Sequence, residues 1–214
     1  MIVDLAFSIV CPHALPADHG YLLYSAVSRM LPEAHRANGY GIHPIRGRQL
    51  GGRTLQLTEH SRLVIRTDAE QIARFLPLAG KPLRLLERTL RIGVPQVRSL
   101  VPAVALRSRL VTIKLPEVIS QSADAAAETF RAGAVRQLAE LRISKKAALS
   151  LGKRRTLRIK DKEVVGYEVL VETLTAEESL VLQKHGLGGR RHMGCGVFVP
   201  VVLTTGASCS CPSS

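Results

Sequence analysis

Tryptophan is absent, and aromatic residues make up only 4% of the 214-residue chain. A domain that reads bases by stacking them on rings of its central strands is therefore not expected. Acidic residues are scarce as well: 17 Asp and Glu stand against 30 Lys and Arg, a formal charge of +13. An excess of that size points to phosphate, because clustered cations are rewarded there. The plain alternative is a solubility charge on an Arg-rich chain. The four cysteines, Cys11, Cys195, Cys209 and Cys211, form neither a C-x-x-C zinc pattern nor a disulfide framework. A reducing cytoplasm, no structural metal and no cofactor are the expectation. No apolar run approaches the ~18 residues of a membrane span. The first ten residues carry Asp4 and no basic cluster, so neither a signal peptide nor a membrane role is expected.

What is present supports a packed core, with 46% hydrophobic residues. Residues 2–10 alternate as a strand, with Val3, Leu5, Phe7 and Ile9 on one side. A helix is predicted from Asp18, as its cap, to Ala34. Strand-like pieces at 41–46 and 54–66 precede a second helix over 68–78, opened by Asp68 with Gln71 in capping-box position. Residues 82–92 close the half as strand. Pro95 and Pro102 punctuate a boundary near residue 101, and the order then repeats. Strand 105–115, helix 122–142 and a hairpin of 154–160 with 163–173 lead to a capping box at Thr175–Glu178. A helix end at Gly186 and a last strand, 197–203, complete the half. Two βαββαβ units give an α+β chain of tandem ferredoxin-like domains, 1–101 and 102–203, with a disordered Ser-rich tail, 204–214.

Residues 186–196, Gly-Leu-Gly-Gly-Arg-Arg-His-Met-Gly-Cys-Gly, place five glycines around two arginines and a histidine. Glycine lets backbone amides approach and nest a phosphate, and Arg190 and Arg191 add charge. The ordinary alternative is a connection that uses glycine for tight turns. A P-loop would need Lys and Ser or Thr after its second glycine, where Cys195 follows Gly194. A dinucleotide fingerprint would need glycine in place of Arg191.

The spacing Gly-h-Gly, five residues with basic ones among them, then Gly-h-Gly before the last strand resembles the glycine-rich loop of CRISPR-associated repeat-processing endoribonucleases. The segment LPADHGYLLYSAVSRMLPEAH resembles that family's first loop and helix. The resemblance implies a metal-independent endoribonuclease that cuts CRISPR repeat RNA by 2′-OH attack, leaving a 2′,3′-cyclic phosphate and a 5′-OH. It also implies retention on the crRNA hairpin as a subunit of the surveillance complex, with other CRISPR subunits as partners. The alternative from another class is a catalytically silent hairpin-binding subunit.

The family's catalytic histidine lies on or just after the first helix. By position His35 fits first, His43 second and His19 third, each with a surface or capping histidine as its ordinary alternative. The resemblance assigns RNA contact to Gly186, Gly188, Gly189, Arg190, Arg191, His192, Gly194 and Gly196. A basic strip, with Arg154, Arg155, Arg158 and Lys160 at its centre, suits the phosphates of an RNA stem. Its plain alternative is a solvated hairpin face.

Overall fold

The computed structural model describes residues 1–33, 39–114 and 122–201. Alternation in β1 (Ile2–Val10) becomes burial: Val3, Leu5, Phe7 and Ile9 enter the core, while Ser8 and Val10 are exposed. Helix α1 (Gly20–Met30) lays Leu23, Ala26 and Val27 onto it. Between them lies β2 (Leu15–Pro16), which joins β4 (Arg48–Gln49) and β5 (Thr54–Gln56) in a small sheet ordered β2-β5-β4. The main sheet adds β3 (Gly41–Ile42), β6 (Arg62–Asp68), β7 (Pro82–Leu85) and β8 (Arg88–Ser99), in the order β3-β6-β1-β8-β7. β1 is central and antiparallel to both β6 and β8, with Asp4 directly across from Arg66.

The second half is built likewise. It runs β9 (Ala105–Val111), α3 (Ala123–Glu140), β10 (Ala148–Ile159), β11 (Lys162–Glu172), α4 (Ala176–His185) and β12 (Val199–Pro200). α2 (Ile72–Phe75) is the short counterpart of α4 in the first half. The second sheet is ordered β10-β11-β9-β12. In both sheets the first strand sits between the third and the fourth, the arrangement of a ferredoxin-like unit. Phe130, Ala134 and Leu138 of α3 pack on Leu106, Val169 and Val171. The segment joining the sheets is tied to α4: Ala103 N–H donates to Ser179 Oγ (2.9 Å) and Gln183 Nε2 to Val101 O (2.9 Å).

Local chemistry explains where expectation and structure agree or part. Thr175 and Glu178 form the reciprocal capping box at the start of α4. Ser122 caps α3 through Ala125 N–H. Asp18 does not cap α1: His19 holds the cap position without a side-chain bond, and Asp18 Oδ2 accepts from Arg158 N–H in the second half (2.8 Å). The helix expected over 68–78 is broken into a 3₁₀ turn (Ala69–Gln71), one α turn (Ile72–Phe75) and another 3₁₀ turn (Leu76–Leu78). Pro77 lacks an N–H and so cannot donate to the carbonyl four residues back, which keeps the α turn from extending, although Leu76 before it stays in αR geometry. The expected tail, 204–214, lies outside the described residues. Among the described residues no helix is long and apolar enough to cross a membrane.

Candidate nucleic-acid interface

The glycine-rich loop leaves α4 at Gly186, whose φ of +66° ends the helix. Its two stems lie back to back. A Cβ on Gly186 would strike Gly196 O, and one on Gly196 would strike Leu187 O; both positions also have positive φ. The glycine amides are used inside the protein. Gly188 N–H donates to Gln137 Oε1 (2.7 Å), Gly189 N–H to Thr112 O (3.0 Å) and Gly196 N–H to Leu110 O (2.7 Å). Gly194 N–H donates to Arg191 O (3.0 Å). These glycines fold the loop onto itself, and side chains at its tip carry the charge. Arg190 is exposed with φ of +63°, and Arg191–Met193 form a 3₁₀ turn.

That turn is pressed against the first half. Gly20, at the start of α1, has no room for a Cβ beside Met193 O. Gly41 faces Arg191 and Val197. Gly194 packs toward Pro44 and Ile42 O. The His192 ring lies 4.3 Å from that of Tyr24 on α1, and 6.4 Å from that of Tyr40, which also meets Phe75 at 5.4 Å. Arg191 Nε, near Gly186, and Nη2, near Gly41, are buried with no hydrogen-bond partner among the described residues. Burial, and then the nearby charge of Arg66, pull the Arg191 guanidinium down to about 10.

The three candidate histidines fare differently. His35 lies outside the described residues. His19 is 2% exposed, and both its nitrogens are engaged: Nδ1 donates to Pro16 O (2.9 Å) and Nε2 accepts from Ile45 N–H (2.9 Å). Burial holds it below the ordinary histidine value, as a neutral ring locked in one tautomer. Both ring nitrogens are thus committed to the backbone of its own half. His43 places Nε2 3.5 Å from Asp4 Oδ1. Burial lowers it too, against the opposing pull of Asp4. His43 lines a cleft with Arg46, Arg107 and Arg109, and a second one with Arg62, Arg66 and Arg98. Neither lining includes Arg190, Arg191 or His192.

The basic hairpin is also divided. Arg154 and Arg158 are exposed, and Lys160 sits in the turn with φ of +53°. Arg155 is instead held by Glu168 (3.1 Å), which also faces Arg107 at 3.5 Å. Arg155 is therefore a member of an ion-pair cluster with Glu168 and Arg107. Arg154 and Arg155 line a further cleft with Arg53 and Arg109, so the basic surface continues onto the first half. No group of three or more His, Cys, Asp and Glu suited to a metal ion occurs among the described residues.

Sequence patterns missed Arg66. It is 1% exposed, donates from Nε and Nη2 to the two Asp4 oxygens (2.8 and 2.9 Å), and reaches into the second half through Nη1. Burial alone would raise the Asp4 carboxyl, but the nearby His43 ring and the Arg66 guanidinium outweigh it and hold it well below the usual carboxylate range.

Fold and site together define a tandem ferredoxin-like protein whose basic glycine loop closes on its own first half. The family model described as Cas6 Crispr matches residues 3–202. The CRISPR-associated endonuclease Cas6 of Myxococcus xanthus (strain DK1622) is 40% identical over 200 residues, covering 94% of this chain and 82% of that protein. A solved CRISPR associated protein Cas6 aligns with a TM-score of 0.65 at 13% identity, covering 94% of this chain and 99% of that one. The product of a Cas6-related gene from Pyrococcus furiosus aligns with a TM-score of 0.63, also at 13% identity, over 94% and 98% of the two chains. These two likenesses concern the fold. The chain belongs to the Cas6 family.

Proposed function

We propose that this chain cuts CRISPR repeat RNA at the seam between its halves, without a metal, and keeps hold of the hairpin product as a subunit of a surveillance complex. The observation that carries the reading is Arg191, whose Nε and Nη2 are buried without a hydrogen-bond partner among the described residues where the loop meets Gly41 of the first half. A desolvated cation without a partner is costly, and an RNA phosphate supplies the missing charge. Exposed Arg190, Arg154 and Arg158, with Lys160, hold the flanking phosphates.

In the proposed reaction the ribose 2′-oxygen bonds to the adjacent phosphorus while the bond to the 5′-oxygen breaks. A base takes the 2′ proton, and an acid gives one to the leaving 5′-oxygen. The products are a 2′,3′-cyclic phosphate and a 5′-hydroxyl. Arg191 stabilises the charge on the phosphorane. His35, between α1 and Tyr40 in the chain, is the proposed proton-transfer residue, with His43 second.

Labelled repeat RNA tests this directly. Cleavage should survive excess EDTA and stop when the scissile nucleotide carries a 2′-deoxyribose. His35→Ala should slow single-turnover cleavage ~10²–10⁴-fold with RNA affinity nearly intact. Loss of activity in EDTA, restored by magnesium, sinks the mechanism. Tight hairpin binding with no cleavage by the wild-type chain makes the protein a silent binder.

A further inference from the structure

Arg66 has a connection that the cleavage reading does not use. Its Nη1 donates to two carbonyls of the second half, Gln183 O at 3.1 Å and Phe198 O at 2.7 Å. Gln183 lies three residues before Gly186, and Phe198 lies two residues after Gly196. One nitrogen of the first half therefore grips both stems of the glycine-rich loop. Gln183 sits in the last turn of α4, where helix carbonyls lack intrahelical donors, and a cation there also meets the negative end of the helix dipole. The grip is itself braced, because the cross-strand Asp4 carboxylate fixes the guanidinium plane with two parallel bonds.

We infer that Arg66 is a positioning residue for the glycine-rich loop: it sets where the loop's 3₁₀ turn stands against α1 and β3. The inference rests on the reading that this loop holds the scissile RNA. Its expected signature is a split between rate and affinity. Attraction of phosphates to exposed arginines tolerates small displacements, since it is largely nondirectional. Alignment of a nucleophile with its leaving group does not, and a 1 Å misplacement can cost ~10²-fold.

The test uses the full chain with Asp4→Asn and Arg66→Met combined, so that no unpaired carboxylate is left buried. Amide hydrogen exchange across residues 186–196 should quicken by about tenfold or more, with β1, β6 and β11 little changed. Single-turnover cleavage at saturating repeat RNA should fall by about 10–100-fold, while Kd moves by less than about threefold. Arg66→Lys keeps a charge beside Asp4 but has no planar fork, and should give an intermediate loop exchange rate. It also decides the matter if the double variant does not fold. Unchanged exchange at 186–196 overturns the inference. So does faster exchange spread evenly over both sheets, which would make Arg66 a general stabiliser. If the wild-type chain does not cut RNA, the cleavage reading falls while the exchange measurement still judges Arg66.

Discussion

Two arginines bring buried guanidinium nitrogens to the seam, and the protein treats them in opposite ways. Arg66 meets a carboxylate on one side and two carbonyls on the other. Arg191 has Nε and Nη2 without partners among the described residues. Removing a guanidinium from water costs several kcal/mol unless new bonds replace hydration. The fold completes that exchange at Arg66 and leaves it open at Arg191. Arg66 therefore belongs to the architecture, and Arg191 is, in the reading proposed above, the group kept for an RNA phosphate.

The sharpest way to break this contrast is stability. Arg66→Ala strands the Asp4 carboxylate in a low-dielectric site and should cost about 3–5 kcal/mol, read from urea unfolding. Arg191→Met removes an uncompensated charge, so unfolding should be unaffected or shifted toward greater stability. Its single-turnover cleavage should still fall about 10²-fold. Equal destabilisation by the two changes would erase the distinction. Acid should weaken the architecture in stages. Burial holds His19 and His43 below their ordinary 6.5, so the unfolded chain takes up protons first. Their contribution is complete above about pH 7 and declines as pH falls through 6.5. Asp4, held low, adds a further loss only as pH drops below about 4. A melting temperature that stays flat from about pH 7.5 to 5.5 would show that the two rings accept protons without cost. The smallest effect belongs to exposed Arg190: Arg190→Ala should lower the slope of log Kd against log salt by about 0.7–0.9 for one lost phosphate contact.

How much of this was legible follows from the range of each interaction. The β1 alternation and the Thr175–Glu178 box are local, and both appear where residue order places them. So does the break at Gly186, because a positive φ leaves few residues to choose from. Asp18 was misread because its partner, Arg158, is 140 residues away. Arg66 left no trace at all. In RLVIRTD it occupies a polar position of an alternating strand, and its partners lie 62, 117 and 132 residues off. His19 shows the same blindness from the other side. A histidine before a helix reads as a cap or a catalyst, and only the approach of Ile45 reveals that its second nitrogen is already taken.

The contact of Gly20 with Met193 O and of Gly41 with Arg191 has an evolutionary consequence. At Gly20 the two halves meet backbone to backbone, with no side chain at that point to absorb a mismatch. A methyl group gained at Gly20 would push the loop off α1, and no change within the loop's own side chains would make room. The halves look like repeats of one module, yet they must be inherited as a matched pair. A chimera joining the first half of this protein to the second half of a distant relative should keep both sheets and lose the fit at the seam.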